Sequence, residues 1–100
     1  MKFTISQLQV SNPDVFLRRC GYARHSDRYS REISYTKRLG QGLYPRFHIY
    51  YSIQENKIVF NLHLDQRTTR YNNQTAHAGE YDSDLVKQEK ELILSYAISK

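Results

Sequence analysis

The feature that most constrains this chain is the alternation in "RFHIYYSIQENKIVFNLHLD", residues 46–65. Apolar and polar side chains alternate on both sides of "EN", which is the period of a strand with one buried face. A two-residue turn at Glu55–Asn56 folds the stretch into a hairpin. Ile53 then faces Ile58, Tyr51 faces Phe60, Ile49 faces Leu62 and Phe47 faces Leu64, all on one side. The other side pairs Ser52 with Val59, Tyr50 with Asn61, His48 with His63 and Arg46 with Asp65. A slip of one residue would set nearly every core side chain opposite a polar one, so the pattern dictates the register. Pro45 stands just before the first strand, where it costs no ladder bond.

The flanking segments suggest what covers the apolar side. "FTISQLQV" is rich in β-branched and apolar residues and reads as a strand whose alternation changes phase after Ile5, the sign of a bulge or an early end. "NPDVFLRRCG" reads as a short helix. Asn12 can cap it, Pro13 suits its first position, Asp14 meets the positive end of the dipole, and Arg18 and Arg19 meet the negative end. Gly21 can take the left-handed closing position. "YARHSDRYSR" is polar and reads as a loop or a ragged strand start, followed by a strand in "EISYTKRL". There Ile33 and Tyr35 share one face, with Ser34, Thr36 and Arg38 on the other. "GQG" at 40–42 is a turn, too poor in glycine for a phosphate-binding fingerprint.

From Gln66 to Tyr81 the chain has little apolar content and no period, as expected of a long loop. "DSDLVKQEKELILSYAIS" is the clearest helix, with Asp82 or Ser83 as its cap and a core stripe of Leu85, Val86, Leu92, Ile93, Tyr96 and Ala97. The expected fold is a single α+β domain over residues 1–100. It is a two-layer sandwich, an antiparallel sheet of three to four strands with the short N-terminal and long C-terminal helices packed on one face. The histidine side of the hairpin is then the open face.

Charge narrows the function classes. The formal net charge is +5, and it is uneven. From Arg18 to Arg46 there are eight basic residues against Asp27 and Glu32. A basic face of this kind attracts phosphate or an acidic partner, although solvated basic surfaces without such a role are common. No apolar run is long enough to span a membrane. "MKFTISQLQV" has neither the continuous apolar segment nor the cleavage site of a signal peptide, and Cys20 stands alone. A cytoplasmic location is therefore expected, with Cys20 a small buried core residue rather than a nucleophile.

The candidate site is the open face. Tyr50, His48 and His63 offer stacking surfaces, Asn61 offers hydrogen bonds, and Arg38 and Arg46 offer contacts to phosphate. Arg67, Arg70 and Tyr71 in the 66–81 loop extend the set. Sheets that bind single-stranded RNA or DNA combine aromatic and basic residues in this way. The known RNA-binding sheet signature is absent, so composition alone carries the expectation of nucleic acid, or of an acidic protein, as partner. The alternative is a metal-dependent hydrolase or nuclease. Two opposed imidazoles can share one zinc or other divalent ion, but such ions want three or four ligands. Asp65, His77, Glu80 and Asp82 are the candidates to complete the set, with His77 first and Glu80 next, and Glu80 or Asp82 as base. Cross-strand histidine pairs also occur on wet sheet faces with no ligand, and Arg46–Asp65 reads equally as a surface ion pair.

Two likenesses bear on the chain. A strand reading "HLD" at 63–65 followed by a helix with Tyr96, or by Tyr81, resembles the small rolling-circle replication endonucleases. Their second strand histidine is missing, and the stripe assigns Tyr96 to the core. The runs "CGY", "LYPRFHIYYS", "VFNLHLDQ" and "HAGEYDSDLV" are similar to a family of small uncharacterised proteins of candidate-phylum bacteria. That likeness implies a bacterial cytoplasmic protein and no particular chemistry.

Overall fold

In a computed structural model the described residues are 1–26, 33–66 and 84–98. Five strands and two helices follow in the order β1 (Lys2–Ser6), α1 (Pro13–Arg19), β2 (Ala23–Ser26), β3 (Ile33–Arg38), β4 (Arg46–Gln54), β5 (Lys57–Asp65) and α2 (Asp84–Ile98). The strands form one antiparallel sheet ordered β1-β5-β4-β3-β2. The α+β architecture is as expected, but the sheet has five strands where three to four were anticipated. The additional strand lies in the polar "YARHSDRYSR" run. Its residues Ala23–Ser26 are all exposed at the sheet edge, so no alternation marks them.

The β4–β5 hairpin has the register that the alternation dictates, from Arg46 opposite Asp65 to Gln54 opposite Lys57. Glu55 makes the turn with a left-handed φ of 59°. β1 ends at Ser6, where the alternation breaks, and pairs with β5, setting Phe3 opposite Phe60 and Ile5 opposite Ile58.

Capping of α1 follows local chemistry. The Asn12 side chain accepts from the Val15 amide at 3.2 Å, and Pro13 opens the helix. Arg18 reaches back to Asp14 at 3.1 Å. Gly21 leaves the helix at φ 98°, a conformation strained for any residue with a Cβ.

Both helices lie on the face that carries Phe47, Ile49, Ile58, Phe60, Leu62 and Leu64, all buried. Phe16 and Leu17 of α1 and Val86, Ile93 and Ala97 of α2 join them in one cluster. Phe60 is its centre, with the Phe3 ring stacked at 5.3 Å and the Phe16 ring tilted at 6.2 Å. Cys20 is buried in this core, as its type suggests, and burial pushes its thiol up to about 11.

The core stops short at its margins. Ile53 and Ile33 are on the helix side of the sheet, yet Ile53 is 50% and Ile33 44% exposed. α1 is only seven residues, about 10 Å long, and leaves that end of the sheet uncovered. Leu85, Leu92 and Tyr96 are also exposed. The buried line on α2 is Val86, Glu89, Ile93 and Ala97, turned to one side of the expected stripe.

The rotation brings a carboxylate inside. Glu89, 6% exposed, accepts from the Tyr22 hydroxyl at 2.7 Å and from Lys37 Nζ at 2.9 Å. Lys37 also stands 5.4 Å from the centre of the Tyr22 ring. Burial, followed by the Glu89 charge, raises the Tyr22 hydroxyl far above the ordinary tyrosine range, so it is a fixed donor.

Candidate nucleic-acid interface

The face away from the helices is built by alternation on all five strands. β4 contributes Arg46, His48 and Tyr50, and β5 contributes Asn61, His63 and Asp65. Thr36 lies opposite His48, and Arg38 opposite Arg46. His25 on β2 and Lys2 on β1 belong to the same face, opposite Ser34 and Asn61 respectively.

His48 and His63 are direct cross-strand neighbours, as the sequence requires. His48 Nε2 lies 2.9 Å from the hydroxyl of the buried Ser34, a contact that sets the ring's orientation. The Tyr50 ring packs against both imidazoles, at 4.8 Å from His48 and at 6.0 Å edge-on to His63. This makes an aromatic row His48–Tyr50–His63 across two strands. The row is half-buried, where the sequence suggested a fully open face. Its members shield one another, because directly opposed and diagonal side chains on a sheet are within contact range.

The shielding has an electrostatic consequence. Both histidines are held below the ordinary imidazole range, chiefly by burial. Next in importance is the Arg46 charge for His48 and the N-terminal ammonium for His63. At neutral pH both rings are therefore uncharged and present flat, polarisable surfaces.

The basic end of the face is its most unusual part. Arg38 and Arg46 are directly opposed, an arrangement of like charges that a sheet ordinarily avoids. The Arg46 guanidinium lies over the Tyr44 ring, 4.7 Å from its centre. Its side chain is only 16% exposed, and its Nε is buried without a hydrogen-bond partner. It forms a long ion pair with Asp65, whose Oδ2 is 3.9 Å from that nitrogen, beyond hydrogen-bond reach.

Of the residues singled out in the sequence, Arg38, Arg46, His48, Tyr50, Asn61 and His63 share this face. Arg67, Arg70, Tyr71, His77, Glu80, Tyr81 and Asp82 lie outside the described residues. Among the described residues no group of three or more His, Cys, Asp or Glu is arranged to hold a metal ion. Tyr96 is on the exposed side of α2 and not in the core. Sequence reasoning missed Ser34 as the partner of His48, although the alternation of β3 puts it on the right face. It also missed Tyr44 beneath Arg46, for which no periodic signal exists.

No helix among the described residues is long and apolar enough to cross a membrane. No protein-family model, curated protein or solved structure matches the chain.

Proposed function

We propose that this protein binds single-stranded nucleic acid across the sheet face that carries His48, Tyr50 and His63. The observation behind this reading is Arg46. Arg46 stands directly opposite a second arginine, and among the described residues only a long 3.9 Å ion pair with Asp65 offsets its charge, so this end of the face can take a phosphate oxygen. The Tyr44 ring beneath it supports the planar group in one orientation.

From that anchor a strand runs over the aromatic row. Bases stack on the neutral imidazoles and on Tyr50, and Asn61 reads or holds a base edge. Stacking is sequence-tolerant, so the expected preference is for single strands over duplex and only weakly for particular bases. Arg67, Arg70 and Tyr71 belong to the same proposal on their composition. A bacterial cytoplasmic setting belongs to the same proposal, and the lone, buried Cys20 is in keeping with a reducing compartment.

The test is fluorescence anisotropy with labelled ten-nucleotide single strands at several salt concentrations. Affinity should fall with salt at a log–log slope of about −0.7 for each phosphate neutralised. Arg46→Gln should weaken binding to all sequences alike and make the slope shallower by about 0.7. Absence of binding to RNA and DNA strands at low salt would refute the reading. A response to an acidic polypeptide alone would move the face to a protein partner.

A further inference from the structure

We infer a second binding site, on the opposite side of the sheet, that takes a small planar aromatic carboxylic acid. The short α1 leaves the end of the helix-side face uncovered, and the space beside it is an open cavity of about 400 Å³. That volume is in the range of small-molecule sites. Asp14, Arg24, Ile33, Tyr35 and Tyr51 line it.

The apolar part of the lining suits a flat ring. Tyr35 and Tyr51 stack on each other with ring centres 6.0 Å apart and planes 28° apart. Ile33 is 44% exposed beside them, a β-branched side chain on the core side of its strand that neither described helix buries. A planar ring laid there covers apolar surface that the fold leaves wet.

The polar part selects the charge. Asp14 is already engaged, with Oδ1 accepting from the Tyr35 hydroxyl at 2.6 Å and Oδ2 from Arg18 Nε at 3.1 Å. The Asp14–Arg18 pair compensates itself. Arg24, on the cavity wall, makes no hydrogen bond or ion pair among the described residues, although its charge helps hold the nearby Asp14 carboxyl below its usual range through space. The charge left over is one guanidinium, whose fork matches a carboxylate in two parallel hydrogen bonds. A phosphate dianion matches less well, because it meets a single cation and stands near the Asp14 carboxylate.

The experiment is titration of the full chain with 2-naphthoate, followed by methyl and aromatic NMR. 2-Naphthalenemethanol serves as the uncharged analogue. The expected result is saturable shifts at Ile33, Tyr35 and Tyr51, with the acid bound about tenfold or more tighter than the alcohol. Arg24→Gln should remove that preference and leave the affinity for the alcohol unchanged. Arg24 is exposed, and the acid-to-alcohol comparison on the unaltered protein stands even without the variant. Equal affinity for acid and alcohol, or shifts confined to the His48–Tyr50–His63 face, would overturn the site. Saturating the protein with a single-stranded oligonucleotide should not displace the naphthoate.

Discussion

Replacing Glu89 tests whether α2 is held by its buried carboxylate or by apolar packing alone. Glu89→Ala leaves the Tyr22 hydroxyl and the Lys37 ammonium without their acceptor. Breaking a fully buried ion pair by removing one partner costs about 3–5 kcal/mol. The Lys37 side chain is 24% exposed and can turn toward water, so its share shrinks. The Tyr22 hydroxyl cannot do this, because the residue is 3% exposed. An unsatisfied buried hydroxyl accounts for about 1–3 kcal/mol. The expected loss is therefore about 2–3 kcal/mol.

Such a loss is a large part of the roughly 5–15 kcal/mol typical of a domain. Glu89→Gln keeps an acceptor for Tyr22 and loses only the charge, and should cost about 1 kcal/mol. Urea unfolding followed by circular dichroism gives both values, provided the slope is unchanged between variants. In a double-mutant cycle, Tyr22→Phe combined with Glu89→Ala should be less destabilising than the sum of the two by about 1 kcal/mol. A Glu89→Ala cost under about 0.5 kcal/mol, the range of ordinary surface substitutions, would refute the reasoning.

Other consequences follow from the same geometry. His48 and His63 have lowered folded-state values, so the unfolded chain binds protons that the folded chain refuses. Their contribution to stability is complete above the ordinary imidazole range near pH 6.5 and is lost as pH falls through the folded values. Melting temperature should drop on acidification below about pH 6.5, and less so in His48→Gln with His63→Gln. Bound phosphate favours the charged rings, so oligonucleotide affinity should rise over the same interval. A flat affinity profile between pH 7 and 5 would show that the bound strand's phosphates stay clear of both rings. Arg46→Gln removes a like-charge opposition together with a long ion pair to Asp65 and the contact with the Tyr44 ring, opposing effects of similar size, so it should change stability by less than about 1 kcal/mol while weakening binding. Asn12→Ala removes the cap of α1 and should cost about 1 kcal/mol in urea unfolding.

What could be read in advance was local. The β4–β5 hairpin pairs neighbours in sequence, and its alternation on both arms admits one register. Asn12, Pro13 and Gly21 mark the ends of α1 through interactions with their own backbone surroundings. The pairing of β1 with β5 joins residues as far apart in the chain as Lys2 and Asn61, with no pattern that names the partner. β2 is exposed along its whole length, so burial left no imprint on its composition. On α2 the apolar residues span an arc wider than the surface that covers it, and a charged residue sits within the buried line. Glu89 can be there because Lys37 and Tyr22 come to it from other elements, which helical periodicity does not reveal. The site shows the same division. The face and its histidine pair followed from alternation, whereas the unpartnered Nε of Arg46 over Tyr44 depends on how the chain enters β4.

The most direct measurement is an amide and aromatic NMR titration of the protein with an unlabelled ten-nucleotide single strand. Single-stranded binding on the histidine face predicts concerted shifts at Thr36, Arg46, His48, Tyr50, Asn61 and His63. Asp14, Tyr35 and Tyr51 on the helix side should stay in place. Shifts centred on the helix side, or no shifts at low salt, would contradict the account.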